Sequence, residues 1–462
     1  MNVLGIIAEY NPFHKGHAYQ IETLKKETGA SYAIIAMGGN FMQRGAPALM
    51  EKFSRAAMAL SCGADLVLEL PALYATASAE SFAYGGVALL ERTGVVTHLG
   101  FGTETTHFGL LQEAAGVLAC QPLPFRRALQ QALKQGLSFP AARSLGVKAC
   151  LGKEDGQAPN AGSCPPAPSS PGLSGDLPAG KELNCRSAEL EHILSSPNNI
   201  LAMEYLKALS CCHSSILPAP LPRRGQRYHD ASPGQEFSSA TAIRASIQNP
   251  GPLAGPSLHA TNLAPDCLTG AGVRGLTLPE GSMPAAAFGI LRDYPHPFLW
   301  EDDFSTVLHY KLLTESQEQL SRYADSSPDL ARRMKKEAEA FLSWSSFCQH
   351  LKSKNITYTR LSRVFLHTIL NIYEDCCQPL PEPSYLRVLG FRKQAAPLLA
   401  AIKANGGSPI LTSPAAAPKR LPAQAQRLLS LDLAASSLYR IGLAAKGDSS
   451  LKNDYQHPIV RL

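Results

Sequence analysis

A chain of 462 residues with 45% hydrophobic and 17% charged residues can bury the cores of two or three domains. It contains no run of eighteen apolar residues that would read as a membrane span, and its N-terminus lacks the basic region of a secretory signal, so a cytoplasmic protein is expected. Eleven cysteines without a CxxC pair or zinc spacing argue for reduced thiols, and the net charge of +6 sits wholly at one end: −2 over residues 1–110, +2 over 111–299 and +6 over 300–462. A positive C-terminal third could attract an acidic polymer, although a solvated, lysine-coated helical surface gives the same count.

The first 110 residues alternate between two periods. VLGIIAEY, SYAIIAMGG, ADLVLEL and VVTHLGFG are continuous apolar runs of buried-strand length. Between them, HAYQIETLKKETG, ALMEKFSRAAMALSCG and YATASAESFAYGGVALLERTG have helical spacing and end on Gly29, Gly63 and Gly94, where helix C-caps belong. A β-α-β-α-β series with short connections predicts right-handed crossovers and a parallel sheet, with ligands at the carboxyl ends of its strands.

Residues 153–184 and 248–284 are dense in Pro, Gly and Ser, lack period and read as insertions. Between them SPNNILAMEYLKALS is helical in pattern, and FSSATAIRASI reads as a helix start. From about residue 295 the chain is mainly helical, as in DLARRMKKEAEAFLSW and TRLSRVFLHTILNIYED, with smaller mixed elements after residue 388.

The stretch EYNPFHKGH follows the first predicted strand. A helix N-terminus there presents free backbone N–H groups and the positive end of its dipole, which suits phosphate. Gly16 would let a nucleotide approach the backbone. His14 and His17, three apart, share one face and can donate to phosphate oxygens as charge develops on them, which is most of what nucleotidyl transfer requires. Lys15 points to another side. The competing reading is a pair of surface histidines at a helix cap. Farther on, SATAIR offers Ser239 and Thr241 hydroxyls before Arg244, a possible clamp for the β- and γ-phosphates; an ordinary Ser/Thr cap with a solvent arginine competes with it.

Together these elements resemble the HxGH nucleotidyltransferases. EYNPFHKGH, GGNFMQRGAPALMEKFSRAAMAL, GADLVLELP, FGTE, SPNNILAMEYLKAL, RRGQRYHD and SATAIR, in that order, are similar to the tRNA(Met) cytidine acetate ligases, as are TRLSRVFLHTILNI and YLRVLGF. The resemblance covers most of the chain outside the two insertions. It implies an α/β, Rossmann-like nucleotidyltransferase domain over 1–294 and a mainly helical, basic, tRNA-binding domain over 295–462. It further implies an ATP-dependent ligase that makes acetyl-adenylate from acetate and passes acetyl to N4 of the wobble cytidine of elongator tRNA-Met. Mg²⁺ would come with the triphosphate, leaving little signature in protein ligands. No protein partner and no membrane are indicated.

Carried over by position, the ATP segment is Ile7, Ala8, Glu9, Tyr10, Asn11, Pro12, Phe13, His14, Lys15, Gly16, His17, Ala18, Tyr19 and Gln20, with His14 and His17 catalytic. Gly102 is a further contact, with Gly100 as the alternative. Asn198 (or Asn199) and Arg223 (or Arg224) complete it; for Asn198 a helix N-cap is the competing role. Gln43 and Arg44 lie on the same rim and could meet acetate or pyrophosphate. Lys52 and Arg55 face phosphate or solvent, and Asp65 and Glu69 are structural or magnesium-associated. The alternatives in function are another HxGH adenylyltransferase acting on a small metabolite, and a non-catalytic nucleotide- or RNA-binding protein.

Overall fold

The computed structural model describes residues 1–152, 179–223, 239–248, 281–377 and 381–462. They form two compact units, residues 1–96 with 224–462 and residues 97–223.

The first unit is built on the predicted alternation. Strand β1 (Val3–Ala8) leads to helix α1 (Lys15–Thr28), β2 (Tyr32–Gly38), α2 (Lys52–Ser61), β3 (Leu66–Leu70) and α3 (Ala79–Glu91). β1, β2 and β3 are parallel neighbours, with Val3 opposite Tyr32 and Ile34 opposite Leu66. Their side chains are buried almost throughout, which is why these strands read as unbroken apolar runs. Gly29 closes α1 in the left-handed conformation, φ 61°, as its position predicts.

The second unit holds a parallel pair, β4 (His98–Thr103) and β5 (Leu217–Pro222), with helices α4 (Phe108–Cys120), α5 (Leu123–Lys134), α6 (Phe139–Leu151), α7 (Ala179–Ser195) and α8 (Pro197–Cys211) between them. Sequence pattern gives no hint of β5, because LPAPLP has proline at every second position. The alternation is what makes the strand possible. Leu217 and Arg223 donate their N–H groups to the Thr97 and Thr103 carbonyls, at 2.9 Å each, while the prolines occupy the intervening positions that need no donor on that side.

The rest of the chain belongs to the first unit: α9 (Ala240–Gln248), α10 (Ala285–Arg292), α11 (Ser305–Thr314), α12 (Pro328–Lys336), α13 (Trp344–Leu351), α14 (Tyr358–Leu370), β6 (Leu386–Phe391), α15 (Ala396–Asn405), β7 (Ile410–Leu411), α16 (Ala423–Ala445) and β8 (Val460–Arg461). β6 runs antiparallel beside β3, and β7 and β8 pair with β6. A division at 294/295 therefore does not coincide with the compact units, because residues from the helical third complete the sheet that residue 3 begins. α16 has the length and apolarity of a membrane span. Its buried Asp432, Ser436 and Tyr439 are hydrogen-bonded inside this unit. Among the described residues Cys62, Cys150, Cys211, Cys212, Cys348, Cys376 and Cys377 are free thiols.

A buried charge network fastens β3 to the distant C-terminal elements. Lys52, 1% exposed, reaches Glu69 at 2.7 Å and Asp454 at 2.6 Å; Arg387 on β6 reaches the same two acids at 3.1 and 3.0 Å. Cations and anions thus alternate. Beside them Asp432 accepts from the Ala72 N–H at 2.6 Å and the Tyr385 hydroxyl at 2.8 Å. Burial, reinforced by the Glu69 charge, pushes its carboxyl up to about 7 from 3.8. Asp454 is buried too, yet Lys52 and Arg387 hold it below the usual carboxylate range.

Lys52→Met removes one cation from a closed set and leaves two buried acids to Arg387 alone. A loss of about 3–5 kcal/mol in urea unfolding is expected. Asp432 gives a pH signature. Between pH 4 and 7 the folded chain keeps a proton there that the unfolded chain has released, so this group makes stability fall as pH rises through that window. Asp432→Asn should lose this component. If unfolding free energies of variant and wild type run parallel from pH 4 to 7, the carboxyl is not raised.

Candidate active site

Helix α1 starts in an unusual way, because its own catalytic candidates cap it. His14 is the N-cap, in extended conformation, and its Nδ1 accepts the Gly16 N–H at 3.1 Å. His17 reaches back, and its Nδ1 accepts the His14 N–H at 3.2 Å. The Lys15 N–H donates to the Ser282 carbonyl at 3.1 Å, and the His17 N–H to the His14 carbonyl at 3.0 Å. The expectation of free backbone donors here is corrected: the N–H groups of residues 14 to 17 all have acceptors. What replaces them is the histidine rings. A ring nitrogen that accepts carries no proton, so each neutral imidazole holds its hydrogen on Nε2. The rings stack with centroids 3.7 Å apart and planes 25° apart, which makes the pair a two-pronged N–H donor.

Gly16 also serves the histidine cap. A Cβ on it would lie 2.9 Å from His14 Cε1, so the space is taken by the imidazole itself. Only a glycine lets that ring fold over the helix start.

Two arginines hold the loop before the cap. Arg55, with no exposed surface, donates to the carbonyls of Glu9 at 2.5 Å, Met50 at 3.0 Å, Gly38 at 3.1 Å and Gly39. Burial lowers its pKa. Arg244 donates to the Asn11 carbonyl at 2.5 Å and to Thr241 Oγ1 at 3.4 Å, and Ser239 Oγ caps α9 by accepting the Ala242 N–H at 3.1 Å. Asn11 Oδ1 accepts the Leu49 N–H at 2.8 Å. Tyr10, at φ +47°, lays its ring 4.8 Å from that of Phe13 and 4.7 Å from that of His17. Ile7 and Pro12 are buried beside them, Ala8, Ala18, Tyr19 and Gln20 are half-buried, and Lys15 is exposed.

The GGNFMQRG loop joins this side of the sheet. The Gln43 N–H donates to Glu9 Oε1 at 2.7 Å, while Arg44 is half-buried. Gly45, at φ +80°, abuts the backbone of α14, where a Cβ would meet the Arg363 nitrogen at 2.4 Å. Ser362 Oγ donates to the Gly45 carbonyl at 3.0 Å and accepts from Trp344 Nε1 at 3.0 Å. Lys52 and Arg55 do not face phosphate or solvent. They are buried, because the network and the four carbonyls above consume their donors. Asp65 is structural, accepting the Ala33 N–H at 2.8 Å and pairing with Lys25 at 2.8 Å.

In the second unit both candidate asparagines bond to Glu104, a residue that sequence reasoning missed. Glu104 takes a hydrogen bond on its carboxylate from Asn198, and its N–H donates to Asn199 Oδ1 at 2.8 Å. Asn199 is fully buried and Asn198 half-buried. Ser196 is the N-cap of α8, so Asn198 lies within the first turn and is not the cap. A Cβ on Gly102 would lie 3.4 Å from Arg223 Cγ, with the Arg223 side chain exposed; Gly100 is buried inside β4. Arg224 lies outside the described residues. The one available signal for Glu104 was its place directly after the end of β4, two residues past Gly102.

A paired-histidine cap at the carboxyl end of a first parallel strand defines a nucleotidyltransferase site, and a family model described as HIGH Nucleotidyl Transferase matches residues 1–454. The tRNA(Met) cytidine acetate ligases of Thermoanaerobacter sp. (strain X514) and Caldanaerobacter subterraneus subsp. tengcongensis are 32% and 33% identical over 462 residues, the whole of this chain and of each relative. Crystal structures of Thermotoga maritima TmcAL, apo and bound with alpha-thio ATP, are 27% identical over the whole of both chains, with TM-scores of 0.81 and 0.79. The chain belongs to the family of tRNA(Met) cytidine acetate ligases.

The cap makes a spectroscopic prediction. In ¹⁵N-histidine-labelled protein at pH 8, His14 and His17 should both show a protonated Nε2 and an unprotonated Nδ1. Gly16→Ala should abolish that signature for His14 while costing about 1 kcal/mol in stability, the worth of a cap. A protonated Nδ1 in wild type would refute the arrangement.

Proposed function

We propose that this chain joins acetate to a cytidine of tRNA(Met) at the expense of ATP. An acetate oxygen attacks the α-phosphorus, the bond to the bridging oxygen breaks and pyrophosphate leaves, giving acetyl-adenylate. The cytidine N4 then attacks the acyl carbon, AMP departs and the amine gives up a proton; the acceptor is the wobble cytidine of elongator tRNA-Met. The observation that carries the reading is the stacked His14–His17 pair, whose Nε2–H groups can donate to phosphate oxygens as charge builds.

Such donors help most when they need not reorganise during the reaction. Backbone N–H groups fix both rings from behind, and Arg55 and Arg244 fix the loop carrying them. Glu9 ties that loop to Gln43, and Gln43 and Arg44 are the residues we assign to acetate or pyrophosphate. Gly102, Asn198 and Arg223 are the further ATP contacts we assign; among the paired asparagines, half-buried Asn198 is the more accessible. Mg²⁺ would be brought by the triphosphate. In residues 295–462, exposed Lys352 and Lys354 offer phosphate contacts to tRNA.

Labelled acetate, ATP and tRNA(Met) test the reading together. Wild type should label the RNA, and His14→Ala should lower the rate on the order of 10²-fold or more. Acetate-dependent ATP–pyrophosphate exchange without RNA labelling would favour an adenylyltransferase for a metabolite. Neither activity in the folded protein would favour the non-catalytic alternative.

A further inference from the structure

The geometry points to the α5–α6 hairpin as a docking surface for the tRNA substrate, an inference that rests on the function proposed above. Between residues 121 and 152 the sequence has five basic residues and no acidic one. The two helices bury Phe125, Ala132, Ala142 and Val147, and Gly146 lies so close to the Phe125 ring that a Cβ would approach it to 2.7 Å. Packing therefore fixes which face of α5 looks outward. Arg126, Arg127, Gln130, Gln131 and Lys134 are all exposed on it. Arg127 and Lys134 are two turns apart and nearly aligned, about 10 Å along the axis.

Among the described residues none of these three cations has an acidic partner, and α5 contains no acid to neutralise them from within. Arg143 and Lys148 on α6 are spent differently, paired with Glu204 and, at 3.3 Å, with Glu191. At the start of α6, Phe139 is 56% exposed, five residues after Lys134. Cations that neutralise a backbone, amides that hydrogen-bond and an open aromatic face are the components of a single-stranded nucleic-acid platform. Some cations of residues 300–462 are committed to the protein's own carbonyls. Arg333, Lys335, Arg360 and Lys446 donate to carbonyls of Leu351, Leu312, Asp325 and Phe298, at 2.7 to 3.2 Å.

The test uses full-length protein with Arg126→Gln, Arg127→Gln and Lys134→Gln combined, and Phe139→Ala separately. tRNA(Met) binding is measured over a range of salt, alongside acetate-dependent ATP–pyrophosphate exchange without RNA. The triple variant should bind at least tenfold more weakly, with a log K against log salt slope shallower by about 2. Phe139→Ala should weaken binding roughly tenfold. Exchange should match wild type in both, which shows that the fold and the first chemical step are intact. Unchanged tRNA affinity and salt slope in the triple variant overturn the surface while leaving the ligase reading in place. The same holds if wild type adheres to anionic phospholipid vesicles and the substitutions abolish only that. Wild type that exchanges pyrophosphate but neither binds nor acetylates tRNA overturns the function itself.

Discussion

Everything in the larger unit depends on an acid placed where an acid should not be. Glu69 lies in β3, 3% exposed, in a strand that is otherwise leucine and valine. A carboxylate there is tolerable only if its charge and its oxygens are met. Lys52 meets it from the helix before the strand, but Lys52 is itself buried and needs a second anion. Asp454 supplies that anion from near the C-terminus, and Arg387 closes the set from β6. The four charges are separated by up to 402 residues of chain, so none is balanced until the whole unit has assembled. The N-terminal α/β segment is thus unfinished on its own, and residues after 380 are as much part of its core as the strands that precede them.

The same interdependence reaches the site. α14 presses on Gly45 and its Ser362 holds the Gly45 carbonyl, setting the loop after β2. That loop presents the Gln43 N–H to Glu9, and Arg55 ties the Glu9 carbonyl to those of Gly38 and Gly39. Past Glu9 the chain turns through Tyr10 and Asn11, the latter gripped by Arg244, and arrives at His14 with the orientation the cap needs. A helix in the C-terminal third is thereby connected to the imidazoles by contacts that each involve a buried or half-buried group. Helix propensity at residue 15 could not secure this, since the first turn of a helix is its most poorly bonded part.

The sequence was readable where one physical requirement acts alone. Strands buried on both faces must be apolar throughout, so β1 to β4 stood out; a helix of alternating period must end somewhere, and Gly29 marked where. It was unreadable where a residue type serves against its average. Proline is a poor strand former, yet in β5 it occupies only the positions whose N–H is not needed. Arg55 looks like a surface or phosphate-binding side chain until four carbonyls are seen to surround it. Gly16 was legible as a required glycine, but its tie to the His14 ring was not, because ring placement over a helix start is a matter of three dimensions. The site motifs were found because they are contiguous; Glu104 and Ser282 were not, because their partners are remote in sequence or act through a backbone oxygen.

Net charge illustrates the difference between amount and availability. By count, residues 300–462 own the positive balance and 111–299 are close to neutral. In three dimensions part of the former is committed: Arg387 belongs to the buried network, Arg363 holds Asp325 at 2.8 Å, and several lysines and arginines end on carbonyls. An ammonium already bonded inside the protein neutralises an incoming phosphate poorly and so releases few of the counterions condensed on the nucleic acid. The near-neutral segment reaches that count by averaging acids elsewhere against a hairpin that has none. A polyanion responds to the local field and to cations free to change partner. On that criterion α5 counts for more than its segment's net charge suggests, with Arg126, Arg127 and Lys134 exposed within about two turns of helix.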